Sequence, residues 1–165
     1  MPSGVEQRML YPAAAGVVLA TDVASKALAE RMLDAHTVVP VLGDFLRFHL
    51  VYNTGAGFGL DLGLHSRWIF LATAVLALIV LTRMALNTTP TDRFRLLALG
   101  LVAGGAAGNM IDRIRSSQGV ADFFDLGIAT VRFPTFNVAD IGVSAGAVLL
   151  AVSFWLADSR ARAEA

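Results

Sequence analysis

Two carboxylates have the type and setting for joint chemistry. Asp122 and Asp140 lie 18 residues apart in a stretch from Gly100 to Asp140 that also carries Asn109, Asp112, Arg113, Asp125 and Asn137. Carboxyl groups held about 3 Å apart cannot both ionise easily and share one proton, the arrangement by which aspartic proteases activate water. One carboxylate then takes a proton from the water while its protonated partner polarises the scissile carbonyl. The spacing permits this meeting without requiring it. A plainer role is also open to Asp140: with Asn137 as N-cap it would be the third residue of a helix, where backbone amides and the helix dipole favour a carboxylate. The two roles are compatible, and together they make Asp140 the more readily ionised acid and Asp122 the one that more often holds the proton.

Other polar residues fit supporting parts. Asp112 and Arg113 follow Asn109 by three and four residues on a helix, so both can share its face near the helix's outer end. Arg113 could neutralise Asp112, or Asn109 and Arg113 could donate to a substrate's backbone carbonyls. Asp22 and Lys26 are four apart in the favourable acid-before-base order, and a structural ion pair and a catalytic one both remain open. Rival constellations fit less well. There is no GxSxG elbow or SxxK motif, and His36, His49 and His65 lack a metal-ligand spacing. With no Cys, thiolate metal sites and disulfides are excluded.

These residues sit in a greasy chain. Of 165 residues 56% are hydrophobic and mean hydropathy is +0.64, above the apolar share of about 45–50% usual in soluble domains. The chain therefore reads as a membrane protein, where ionisable groups are expensive and their clustering marks function. A formal net charge of zero argues against nucleic-acid binding, which needs a basic face.

Hydropathy predicts four spanning helices, at about residues 11–32, 67–86, 94–114 and 138–157. Trp68–Leu86 is the cleanest, with Arg83 its one charge. The first span has a rival reading as a signal peptide, with Arg8 as its basic start and a cleavage-like Ala27-Leu28-Ala29. Gly100, Gly104 and Gly108 recur every four residues, a stripe for close helix packing. Residues 44–53, DFLRFHLVYN, alternate instead: Leu46, Phe48, Leu50 and Tyr52 on one face, Arg47, His49 and Asn53 on the other, the period of a half-buried strand at the membrane surface. The following Asn53-Thr54-Gly55-Ala56-Gly57-Phe58-Gly59 is a turn whose small residues allow close backbone approach to a ligand. IATVRF at 128–133 reads as a second short strand, and residues from Asp158 onward as a polar tail.

Four spans put both termini on one side. Arg83, Arg93, Arg95, Arg160 and Arg162 make that side cytoplasmic by the positive-inside rule, leaving residues 33–66 and 115–137 outside. Asp122 and Asp140 then lie near the same, outer face.

The motifs resemble those of the lipoprotein signal peptidases (signal peptidase II), aspartic proteases of the bacterial inner membrane. They stand in the family's order: Asp22-Val-Ala-Ser-Lys26, Asn53-Thr-Gly-Ala-Gly-Phe58, Gly108-Asn-Met-Ile-Asp-Arg113, Val120-Ala-Asp122-Phe123 and Phe136-Asn-Val-Ala-Asp140. The resemblance covers most of the chain and implies one mainly α membrane peptidase domain, with four transmembrane helices, a small extracytoplasmic sheet and a mobile outer loop or helix. It makes Asp122 and Asp140 the catalytic dyad, Asn53, Asn109, Arg113 and Asn137 substrate-binding residues, and Asp22, Lys26 and Asp112 structural support. It implies cleavage of the signal peptide just before the lipidated cysteine of a diacylglyceryl-modified prolipoprotein, with membrane lipid alongside and no metal or cofactor. Globomycin-type cyclic peptides are its implied inhibitors, and a monomer its working form. Gly57 and Ala121 replace residues common in the family and bear on loop stiffness and substrate preference.

The alternative is a proton- or ion-coupled membrane carrier, since acids paired with lysine also mark ion pathways. A carrier's site lies near the bilayer midplane on broken helices, whereas these acids fall at one face.

Overall fold

The computed structural model describes residues 8–55 and 65–163. Four helices, α1 (Leu10–Met32), α2 (Ser66–Asn87), α3 (Arg93–Arg115) and α4 (Val138–Ala163), are each long and apolar enough to cross a membrane. Between them run β1 (Val38–Leu42), β2 (Leu46–Asn53), β3 (Val120–Ile128) and β4 (Val131–Arg132), which pair antiparallel in the order β1-β2-β3-β4. Residues 56–64 of the expected outer loop or helix over 53–66 lie outside the described residues, and with them Ala56, Gly57, Phe58 and Gly59 of the glycine-rich turn.

Helix α3 is central and packs on α1, α2 and α4. Its glycine stripe explains how: at Gly100 and Gly104 a side chain would overlap the α1 backbone at Tyr11 and Ala15, so small residues set the interhelical distance. Leu96, Leu99 and Ala103 then meet Leu81 and Ala85 of α2 in the bundle core. At one end Arg8 donates to the Leu86 carbonyl, the Tyr11 and Thr82 hydroxyls pair, and Arg95 Nε donates to Ser153 Oγ. The sheet closes the other end, where Leu50, Ala121 and Phe123 pack on Ala29 of α1. Helix α1 runs unbroken through Ala27–Ala29 and buries Asp22 and Lys26 inside the bundle, so the packing supports a spanning helix over a cleavable leader for this stretch.

Three elements differ from the sequence reading. Strand β3 occupies VADFFDLGI, and only Val131 and Arg132 of the expected second strand pair with it. Because Val120–Phe123 are all buried, the strand carries no alternation to announce it. Strand β1 contains Pro40, tolerated because β1 lies at the sheet edge. Helix α4 continues through Asp158–Ala163, where Asp158 and Arg162 pair at 2.8 Å one turn apart and Ser159 Oγ donates to the Trp155 carbonyl.

Candidate active site

Asp140 is placed by the start of α4. The Asp140 amide donates to Asn137 Oδ1 at 3.0 Å, and the Asn137 amide donates back to Asp140 Oδ2 at 3.1 Å. This reciprocal cap satisfies two amides of the first turn and holds the carboxylate against it. Its other oxygen, Oδ1, accepts from Asn109 Nδ2 of α3 at 2.8 Å.

Asp122 is placed by β3. Val51 of β2 stands opposite it and Asn53 opposite Val120, so Asn53 lies diagonally across on the same face. From there Asn53 Nδ2 donates to Asp122 Oδ2 at 3.2 Å, while Asn137 Nδ2 donates to Oδ1 at 2.6 Å. Asn137 thus touches both acids, Asp122 through its side chain and Asp140 through its amide. Among the described residues neither acid forms an ion pair. The chain around Asn137 is itself tied to β3, for the Phe123 and Phe124 amides both donate to the Phe136 carbonyl and the Phe136 amide returns a bond to Phe124.

Lys26 anchors the frame behind them. Its Nζ lies 2.8 Å from Asp22 Oδ2, 2.8 Å from Asp112 Oδ2 and 2.9 Å from Asn109 Oδ1, which uses all three of its donors. Asp22 accepts the Ala139 amide at 2.8 Å and Asp112 the Ala121 amide at 3.4 Å. Each amide belongs to the residue just before one of the two acids. Gly108 makes room for this, since a side chain there would run into the Asp22 carboxylate.

The acids open onto a cavity of about 620 Å³. Asn53, Asn109 and Arg113 give it a polar end, and Leu126, Phe133 and Ile141 are among its apolar walls. Arg113 is held by bonds to the Asn109 and Gly55 carbonyls and lies 5.5 Å from the Phe70 ring centre. Its buried Nε has no partner among the described residues. Arg113 does not pair with Asp112, which goes to Lys26 instead. A residue that sequence reasoning passed over is Arg67, whose guanidinium donates to the Arg113 and Ile114 carbonyls. It caps the end of α3 and ties α2 to the residues that line the cavity; nothing near it in sequence signals this.

The acids differ in their electrostatics. Burial, followed by the charge of Asp140, pushes the Asp122 carboxyl up to about 7, although hydrogen bonds from Asn53 and Asn137 and the charge of Lys26 pull the other way. Such a group is about half protonated at neutrality, while Asp140 rests against the amides of α4.

The chain is similar to known proteins in sequence and in fold. A family model described as "Signal peptidase (SPase) II" matches residues 14–156. The lipoprotein signal peptidase of Coxiella burnetii (strain RSA 493 / Nine Mile phase I) is 40% identical over 146 residues, covering 87% of this chain and 88% of its own. That of Symbiobacterium thermophilum is 38% identical over 157 residues, covering 94% of this chain and 100% of its own. A solved bacterial membrane enzyme superposes with a TM-score of 0.82 at 26% identity, covering 91% of this chain and 90% of that one.

Proposed function

Because the chain belongs to the signal peptidase II family, a family of aspartic peptidases, we propose that Asp122 and Asp140 are its catalytic dyad and that it cuts diacylglyceryl-modified prolipoproteins just before the lipidated cysteine. The observation that carries this reading is the convergence of two carboxylates from different elements on Asn137, at the mouth of a largely apolar cavity, with no cation paired to either among the described residues.

Asp140 accepts a proton from water, and the water oxygen bonds to the scissile carbonyl carbon. Protonated Asp122 hydrogen-bonds the carbonyl oxygen as negative charge develops there. When the intermediate collapses the C–N bond breaks, Asp140 returns its proton to the amine of the cysteine, and the signal peptide leaves as a carboxylic acid. Asn53, Asn109, Arg113 and Asn137 hold the peptide and the acids. Asp22, Lys26 and Asp112 keep the start of α4 and strand β3 in place. The apolar walls of the cavity suit acyl chains and an extended apolar peptide, and cyclic peptides of the globomycin type would compete for the same space. Both acids come from one chain, so a monomer is a complete enzyme. With both termini cytoplasmic in the bacterial inner membrane, the sheet end and its acids face outward, where prolipoproteins emerge.

Purified protein offered a diacylglyceryl-modified prolipoprotein and its unlipidated form tests this directly. Cleavage of the lipidated form alone is expected. A folded sample that leaves it intact overturns the peptidase reading.

A further inference from the structure

Asp125 takes no part in the steps above, yet it is as little exposed as Asp122 and pairs with two arginines. Its Oδ2 accepts from Arg47 Nη2 at 2.7 Å and Nε at 3.0 Å, and its Oδ1 from Arg132 Nε at 2.8 Å. Arg132 also donates to the Asp125 carbonyl through Nη2 and to the Asp44 carbonyl through Nη1. The Asp125 carboxylate therefore joins β2, β3 and β4, and the two arginines extend the network to the β1–β2 turn, where the Asp44 carboxylate lies 3.1 Å from Arg47 and 3.5 Å from Arg132.

What this joint controls follows from the chain path. The two acids flank a hairpin: β3 runs out from Asp122, turns at Ala129, whose φ is +51°, and the chain returns through Arg132 and Phe133–Phe136 to Asn137 and Asp140. Arg132 stands opposite Gly127, and a side chain at Gly127 would meet it, so the glycine lets the guanidinium fold over β3 to Asp125. Asp122 and Leu126 line the cavity, while Asp125, an odd number of residues along the strand from both, points to the opposite face. We propose that Asp125 is a positioning residue: paired with Arg132 and Arg47 it pins the β3–β4 hairpin and thereby fixes Asp140 relative to Asp122. This rests on the dyad reading.

Loosening the pin separates the acids and admits water to Asp122. The charged groups around Asp122 are Asp140 from α4, Lys26 from α1, and Asp112 and Arg113 from α3. Only the distance to Asp140 depends directly on the hairpin. Wild-type protein, Asp125→Asn, Arg132→Gln and the double variant are assayed on the lipidated prolipoprotein across pH. Expected is a fall in kcat of about tenfold for Asp125→Asn, less than the roughly hundredfold that about 1 Å of misplacement can bring, with KM within about twofold. The alkaline limb of kcat moves to lower pH, and the double variant is no slower than Asp125→Asn because the two act as one unit. Arg132→Gln leaves Asp125 paired with Arg47, so it reports on the hairpin even if Asp125→Asn does not fold. Wild-type kcat and pH profile in folded Asp125→Asn or Arg132→Gln, with only the melting temperature lowered, overturns the pin. Failure of the wild type to cleave overturns the dyad reading instead.

Discussion

Asp122 and Asp125 stand three residues apart on one strand, and each is 3% exposed, yet their carboxyls are driven in opposite directions. Asp122 has neutral amides as direct partners, Asn53 and Asn137, and burial together with the charge of Asp140 raises it to about 7. For Asp125 burial again pushes upward, but hydrogen bonds from Arg132 and Arg47, and then their charges, outweigh it and the group ends below the usual carboxylate value. Equal exposure therefore does not decide what a carboxylate becomes: Asp122 lies deep among neutral partners, and Asp125 lies near the surface between two arginines. A cation in contact makes a permanent anion suited to holding strands together, and amides make an acid that keeps its proton and can lend it.

The contrast breaks first in kinetics. Asp122→Asn and Asp140→Asn should each lower kcat on a lipidated prolipoprotein by at least about 10³-fold, within the range of lost general acid–base catalysis, against the tenfold expected for Asp125→Asn. If Asp140→Asn cleaves normally while Asp122→Asn is dead, the shared role of the acids is wrong. Changing the neighbour rather than the acid sharpens the comparison. Asn53→Lys would give Asp122 the kind of partner Asp125 has, and an opposite charge lowers a carboxyl by about 1–3 units. Activity at pH 7 should fall by at least about tenfold and recover partly at lower pH, as a pH–rate profile would reveal. An unchanged alkaline limb would mean that Asp122 is not the protonated acid.

Stability should separate the same two residues by sign. Between its unfolded value of 3.8 and about 7, native Asp122 binds more proton than the unfolded chain does, so its contribution to stability falls as pH rises through this range. Asp125 behaves in reverse: its contribution is present above its unfolded value and lost as pH falls through its lowered native one. At pH 8 Asp122→Asn should therefore melt above wild type and Asp125→Asn below it, by about 2–4 °C for each kcal/mol. Thermal unfolding in detergent, followed by circular dichroism, decides it; shifts of the same sign would remove the electrostatic distinction.

Much of Asp122's setting and little of Asp125's was legible in the sequence. Four spanning helices follow from apolar runs, the cap at Asn137 and Asp140 from local spacing, and the link between Asp22 and Lys26 from one helical turn. Each signal is contained in a few residues. Arg47 and Asp125 are 78 residues apart, and their contact exists only because β2 and β3 pair. The pairing was itself hidden, since β3 is buried on both faces at Val120–Phe123 and lacks alternation. Arg113 shows a related effect: Asp112 is its neighbour in sequence and a candidate partner, but Lys26 of α1 takes that carboxylate and leaves Arg113 to the Gly55 carbonyl. Helix α4 passes the expected end near residue 157 through polar residues that a hydropathy reading does not weigh, among them the i,i+4 pair Asp158–Arg162.

The smallest effect is expected at Asn53, where the contrast between the acids can be tuned without a charge. Its amide pulls the Asp122 carboxyl down against burial and Asp140, so Asn53→Ala should let that carboxyl rise and move the alkaline limb of kcat to higher pH. This is the opposite direction to Asp125→Asn. Because Asn53 also lines the cavity, KM should rise a few-fold, while kcat at its optimum stays within about threefold, in keeping with one neutral hydrogen bond worth roughly 0.5–1.5 kcal/mol. Two variants on either side of β3, both lowering activity but displacing the same limb in opposite directions, would distinguish control of Asp122's proton from general loosening of the sheet. If both limbs move the same way, the amide does not tune the acid, and Asn53 serves only to bind substrate.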